Sequence, residues 1–374
     1  MLTHKLECFL RTRPVTPFLA VDVDVIERKY VELRESFPDA AIHYAVKANP
    51  ARQVVALLAT LGAGFDVASR RELDLCLSLG VPPDRVSYGN TIKKAADIAH
   101  AFKKGVRKFA FDSEAELAKI ARHAPGAGVM CRLLTAGAHA DWPLSRKFGC
   151  ALDMAFDLLW SSHTCGLRPL GVTFHVGSQQ TDPDQWRTPL QEAATLYREM
   201  ARRGVHLPII NIGGGFPARY RGRVPSLGRY ARAIGRAVQD AFGDTAPTLM
   251  LEPGRSLVAD AGVIQSEVVL VAKKAREDRM RWVYLDVGKF GGLAETLDES
   301  IKYRVRTPRR GRTGPVVLAG PTCDSADILY ERTVYELPLT LVGGDRVEIM
   351  SAGAYTSSYS SNFNGFPRLR TYCL

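Results

Sequence analysis

The sequence predicts an α/β protein: a parallel (β/α)8 TIM barrel with a C-terminal, mostly antiparallel β domain. Three observations carry this. Eight short apolar runs recur with helix-period segments between them. After Arg255 the pattern changes to strands separated by turns. Polar residues of different chemistry fall at the ends of the apolar runs, the face on which such barrels carry their active sites.

The expected barrel strands are 42–46, 64–67, 86–88, 108–111, 129–134, 170–174, 209–212 and 249–251. Helical periodicity fills 51–58, 71–79, 113–121 and 190–203. Later strands are expected at 263–272, 281–285, 316–318, 337–341 and 346–350. The run 17–22 precedes the first barrel strand and is expected to complete the later domain. The expected division is therefore 24–258 for the barrel, and 1–23 with 259–374 for the β domain.

Composition narrows the functional classes. At 374 residues and 46% hydrophobic, the chain suits one large domain and a smaller one. No run of eighteen uncharged apolar residues marks a membrane-spanning helix. The N-terminal residues lack the apolar core of a signal peptide. The seven cysteines, at 8, 76, 131, 150, 165, 323 and 373, include no Cys-x-x-Cys pair. That pattern fits free thiols in a reducing cytoplasm and no metal centre. The net charge is +11, and the densest basic cluster is Arg304-Val-Arg306-Thr-Pro-Arg309-Arg310-Gly-Arg312. It has no interleaved aromatics, so it reads as a solvated loop or a contact for an anionic partner, not a nucleic-acid surface.

Lys47 ends the first apolar run, and Ala48-Asn49-Pro50 stops it. A lysine there is costly unless used, and a desolvated one can form a Schiff base with an aldehyde. Asp66 lies near the end of the second strand, His175 follows the sixth and Gly213-Gly-Gly215 the seventh. Glu252 follows the eighth, in Glu252-Pro-Gly-Arg255. The glycines can offer backbone N–H groups to a phosphate, with Ser178 and Arg255 as added donors. His175 and Glu252 suit a flat aromatic cofactor, one over its face and one at a ring nitrogen. A lysine, a phosphate cradle and a carboxylate together point to pyridoxal 5'-phosphate. Further along, Gly320-Pro-Thr-Cys-Asp324 sets a thiol beside a carboxylate, and Gly353-Ala-Tyr355 leads into Asn362-Phe-Asn-Gly-Phe366.

These segments resemble the fold-type III pyridoxal phosphate decarboxylases, and most of all the bacterial ornithine and lysine/ornithine decarboxylases. The resemblance runs in family order through Tyr44 to Asn49, Gly64 to Ser69 with Glu72, His175 to Ser178, Gly213 to Pro217, Glu252 to Arg255, Gly320 to Asp324, and Gly353 to Thr356 with Phe363 to Phe366. It implies that Lys47 carries the cofactor, with Asp66 beside it and Glu72 in support. It implies that His175 stacks on the ring and Glu252 pairs with the ring nitrogen. Ser178, Gly213, Gly214, Gly215, Arg255 and Tyr355 would bind phosphate. Cys323 would return a proton to the substrate α-carbon, Asp324 would bind a distal ammonium, and Phe363 would wall the pocket. The family builds its sites across a homodimer, Cys323 and Asp324 reaching the partner's site.

Two departures concern substrate length. In Leu285-Asp286-Val-Gly288, Val287 stands where eukaryotic relatives carry the aspartate, and Asp286 is displaced by one. In Trp142-Pro-Leu-Ser-Arg, Pro143 replaces an arginine. The implied activity is decarboxylation of L-ornithine to putrescine, with lysine as the nearest competing substrate. Alanine racemases place an arginine at the ring nitrogen, where Glu252 stands here. Diaminopimelate decarboxylases carry Cys-Glu-Ser in place of Cys323-Asp324-Ser325, and arginine decarboxylases of this class are much longer. The non-catalytic antizyme inhibitors are the rival from another class, and every residue expected of a catalyst is present here.

Overall fold

The computed structural model describes residues 2–135, 140–142 and 147–374. Pro143 lies outside them. The chain divides into two compact units. One holds Glu27–Pro217 and Val224–Gly254; the other holds Met1–Ile26, Ala218–Arg223 and Arg255–Leu374.

The first unit is built on a closed barrel of eight parallel strands: Ala41–Ala45, Gly64–Val67, Val86–Tyr88, Lys108–Phe111, Gly128–Arg132, Arg168–Thr173, Ile209–Asn211 and Thr248–Leu251. Met250 and Leu251 pair with Ala41 and Ile42 to close the ring. All eight expected strands are present, displaced by at most a few residues. Most of their residues are buried, because helices cover the outside and side chains fill the inside. Helix starts follow their side chains: Ser69 Oγ accepts from the Glu72 N–H at 3.3 Å, and Ser113 Oγ from the Glu116 N–H at 3.4 Å.

The second unit is a mostly antiparallel sheet in the order Arg304–Arg306, Arg346–Met350, Gly262–Ala272, Arg281–Leu285, Thr313–Ala319, Ile328–Pro338. Phe18–Val21 joins it as expected, antiparallel to Gly262–Gln265. Its other edge takes Arg370–Cys373 in parallel. The N-terminal helix His4–Arg11 packs Leu6 and Leu10 against Phe18, Ala20, Val263 and Met350. Two expectations about the fold fail. Arg304–Arg306, read as part of a solvated loop, is a strand paired with the strand Arg346–Met350. The strand placed at 337–341 instead spans Ile328–Pro338 and turns after Pro338. Its early half carries Glu331 and Arg332, which mask the apolar alternation. Their N–H groups are held at 2.8 and 2.7 Å by Glu299, whose carboxylate also takes the Thr333 N–H at 2.7 Å.

Candidate active site

The first barrel strand ends at Ala45, and Lys47 sits in the single turn Val46–Ala48 that follows. Tyr44 donates its hydroxyl to the Asn49 carbonyl at 3.0 Å, and Asn49 Oδ1 accepts from the Ala51 N–H at 3.1 Å. The turn is thus held from both sides, which fixes where the lysine leaves the backbone. Lys47 Nζ lies 3.8 Å from Asp66 Oδ2. The desolvation expected of Lys47 is not found: its side chain is 48% exposed, whereas that of Asp66 is 4% exposed. The burial cost falls on the acid instead. It drives the Asp66 carboxyl well above the usual carboxylate range; the negative charge of Glu252 adds to the rise and Lys47 opposes it. Asp66 Oδ1 has no hydrogen-bond partner among the described residues, and a Cβ on Gly89 would collide with it. Glu72 supports the neighbouring turn by accepting the Ala68 N–H at 2.7 Å.

Glu252 follows the last barrel strand, and its N–H donates to the Gly213 carbonyl at 2.8 Å. One carboxylate oxygen, Oε1, accepts from Asn211 Nδ2 at 2.5 Å. The Oδ1 of the same amide accepts from the Gly213 N–H at 2.9 Å. Asn211 is fully buried and ties the carboxylate to the glycine turn. Because its two ends are committed, its orientation is locked with Nδ2 toward Glu252. The glycine turn itself demands glycine. Gly213 has φ +67°, and a Cβ there would strike the Phe174 carbonyl oxygen; a Cβ on Gly214 would strike that of Glu252. Since the Gly213 N–H is spent on Asn211, the donors left toward a phosphate are those of Gly214 and Gly215, which bond to no described residue.

His175 Nδ1 accepts from the Gly177 N–H at 3.0 Å, so the proton of the neutral ring lies on Nε2. Thr135 Oγ1 donates to the His175 carbonyl at 2.6 Å. Ser178 opens the strand Ser178–Gln180. Arg132 ends the fifth barrel strand, and burial lowers its guanidinium while the charges of Glu252, Asp66 and Asp112 oppose that. Sequence reasoning missed Asn211 and Arg132. The available signal was the same for both: a polar residue closing a run of buried apolar ones.

In the second unit, Arg255 opens the short helix Arg255–Val258. Its fork is bidentate on Glu295, at 2.6 and 2.7 Å, and Nη1 also donates to the Tyr220 hydroxyl at 2.7 Å. Its guanidinium lies 4.8 Å from the centre of the Tyr355 ring. Cys323 and Asp324 are exposed on this chain. The Cys323 N–H donates to Asn364 Oδ1 at 3.0 Å, and Asp324 Oδ1 accepts from the Ala326 N–H at 2.8 Å. Phe363 packs its ring 4.7 Å from Phe290. Asp286 Oδ1 is occupied by the Ser266 hydroxyl at 2.6 Å and the Glu267 N–H at 2.9 Å. Asp327, also missed, is the organiser here. Its carboxylate accepts from the Lys289 N–H at 2.7 Å and from the Thr322 N–H and hydroxyl at 3.1 and 2.7 Å. One buried acid thereby joins the loop carrying Cys323 and Asp324 to the loop after Asp286.

A carboxylate of locked orientation, two spare N–H groups on a glycine turn and a lysine over a buried acid fit pyridoxal phosphate. The comparisons agree. The family model described as "Pyridoxal-dependent decarboxylase, pyridoxal binding domain" matches residues 23–259. The chain is 35% identical over 359 residues to the lysine/ornithine decarboxylase of Selenomonas ruminantium, covering 96% of this chain and 89% of that one. The lysine/ornithine decarboxylase from Vibrio vulnificus complexed with cadaverine is similar at a TM-score of 0.89 and 31% identity, covering 100% of both chains. SrLDC in complex with PLP and cadaverine is similar at a TM-score of 0.89 and 33% identity, covering 100% of this chain and 94% of that one. By its barrel, its site and these likenesses, the chain belongs to the fold-type III pyridoxal-dependent decarboxylases, and its cofactor is pyridoxal phosphate.

Proposed function

We propose that this protein decarboxylates L-ornithine to putrescine and carbon dioxide, as a cytoplasmic homodimer. The observation that carries the reading is Glu252, an anionic acceptor oriented by Asn211 beside the phosphate-binding turn. When bound, pyridoxal phosphate supplies an aldehyde for the substrate amine and an acceptor for the electrons released with carbon dioxide. Lys47 would hold the cofactor and yield to the substrate. Gly214 and Gly215 would bind phosphate with their N–H groups, and His175 would cover the ring. Glu252 would keep a proton on the ring nitrogen. Cys323 Sγ would deliver a proton to the substrate α-carbon, and Asp324 would receive the distal ammonium. Asp324 Oδ2 makes no hydrogen bond to a described residue, which suits an incoming cation. Exposure of Cys323 and Asp324 on the isolated chain suits their use in a partner's site.

Lysine is the second reading. The Selenomonas relative is a lysine/ornithine decarboxylase, and the Vibrio one has been solved with both cadaverine and putrescine. Amine products from L-ornithine, L-lysine, L-arginine and 2,4-diaminobutyrate with added cofactor decide between them. Putrescine as the dominant product at equal substrate supports the proposal, and dominant cadaverine replaces it with the second reading. The dimer is tested by mixing Lys47→Ala and Cys323→Ala proteins, each expected to be nearly inactive. After random exchange, half the dimers are mixed and each holds one intact site, so about a quarter of wild-type activity should return. No recovery after proven subunit exchange would place each site within a single chain.

A further inference from the structure

The arginine cluster at 304–312 is used by nothing described so far. In the β unit it does not stand alone. Arg306, Arg309 and Arg310 line one groove of about 720 Å³ together with Arg11, Arg13 and Arg346. Among the described residues the groove's carboxylates are Glu7, Asp345 and Glu348, so six cations face three anions. Arg306 pairs with Glu348, and Arg309 lies 3.5 Å from Asp345. Arg11, Arg13 and Arg310 are exposed and form no ion pair among the described residues. Arg13 is held at φ +50°, a conformation in which glycine is usual.

The groove also has a built floor. Sheet register sets Arg306 opposite Glu348 and Glu348 opposite Gln265. Gln265 is only 3% exposed, and its Oε1 accepts no hydrogen bond from a described residue. Arg346 gives Nη1 to Thr16 Oγ1 at 2.6 Å and Nη2 to Glu267 at 3.5 Å, yet its buried Nε has no acceptor among the described residues. Buried polar atoms are ordinarily paired. One orphan here is a cationic donor, which suits a phosphate oxygen. The other is an acceptor, which suits a hydroxyl or amino group on the same ligand. Leu2, Leu10 and Pro308 add an apolar wall, and among the described residues no aromatic lines the groove to stack a nucleic-acid strand. The volume lies in the range of small-molecule sites.

We propose that this groove binds a small polyphosphate anion of the nucleoside di- or triphosphate class. Arg11, Arg13, Arg310 and Arg346 hold the phosphates, and Gln265 accepts from the sugar or base. No residue assigned to decarboxylation takes part, so the proposal stands or falls independently of the substrate.

The test is calorimetric titration of the pyridoxal phosphate holoenzyme, at physiological salt, with ATP, inorganic tripolyphosphate, orthophosphate and a short oligothymidylate. ATP should bind once per chain and at least about tenfold more tightly than orthophosphate. Arg13→Gln/Arg310→Gln should weaken ATP by more than about tenfold, since two charge-assisted contacts are lost. Decarboxylation without nucleotide should stay unchanged in that variant, and Arg13→Lys/Arg310→Lys should retain most of the binding. Gln265→Leu separates the sources of the phosphate. Weakened ATP with unaltered tripolyphosphate supports a nucleoside phosphate, and equal affinities throughout overturn that assignment in favour of inorganic polyphosphate. Absence of binding at millimolar ATP and tripolyphosphate overturns the proposal. So does affinity indifferent to Arg13→Gln/Arg310→Gln, or an oligothymidylate that outcompetes ATP.

Discussion

Replacing Glu252 with glutamine is the sharpest test of the proposed chemistry, because Asn211 constrains how the new side chain can sit. Asn211 Oδ1 is occupied by the Gly213 N–H, so Nδ2 must face position 252. The glutamine amide can satisfy that donor only with its own oxygen, which turns its NH2 outward. An acceptor toward the proposed ring nitrogen becomes a donor, and a full negative charge is lost. Loss of one preorganised electrostatic group costs about 3–4 kcal/mol in the transition state, roughly two hundred- to a thousandfold in kcat. Cofactor retention should change little, since Gly214, Gly215 and Lys47 are untouched. The same substitution removes the Glu252 charge that helps raise the Asp66 carboxyl, so the acidic limb of any pH profile that Asp66 governs should move down. The assay is carbon dioxide release at saturating substrate and cofactor, with cofactor content read from the visible absorbance. A loss in kcat below tenfold, with cofactor retained, would refute the role given to Glu252.

Two further outcomes follow from buried polar groups. Asp327→Ala strands three donors across two loops, at about 1–3 kcal/mol each when buried. Urea unfolding should show a loss of about 3 kcal/mol and kinetics a raised KM for the diamino acid; unchanged stability would mean that the loops hold themselves. His43 is buried in the first barrel strand, and burial pushes its pKa down to about 3 from an ordinary 6.5. The unfolded chain therefore binds the extra proton first, so stability is full above about pH 6.5 and falls as the pH drops toward 3. By pH 4.5 about 3 kcal/mol should be lost through this group. His43→Gln should flatten that part of the stability curve, and an unaltered curve would assign acid sensitivity elsewhere.

Much of this protein is legible in its residues because the signals are local. Alternation of short apolar runs with helix-period segments specifies a barrel, since a strand buried on both faces must be apolar throughout and a covering helix must be amphipathic. The candidate site residues stood out for the opposite reason: Lys47, Asp66 and Glu252 are charges that break those patterns at strand ends. The turn 213–215 was legible too, because its glycines are demanded by close backbone approach. The tertiary structure decided which groups satisfy one another. That Asn211 locks Glu252 and that Asp327 joins two loops depend on residues far apart in the chain meeting at hydrogen-bond distance. That Asp66 rather than Lys47 bears the burial cost depends on which side chain the fold encloses. The strands 304–306 and 370–373 escaped notice because each is short and is held by partners far along the chain. The basic groove is the same case in charge: the cluster at 304–312 stands out in the sequence, but Arg11 and Arg13 join it only because the sheet brings the N-terminal helix and that distant loop to one face.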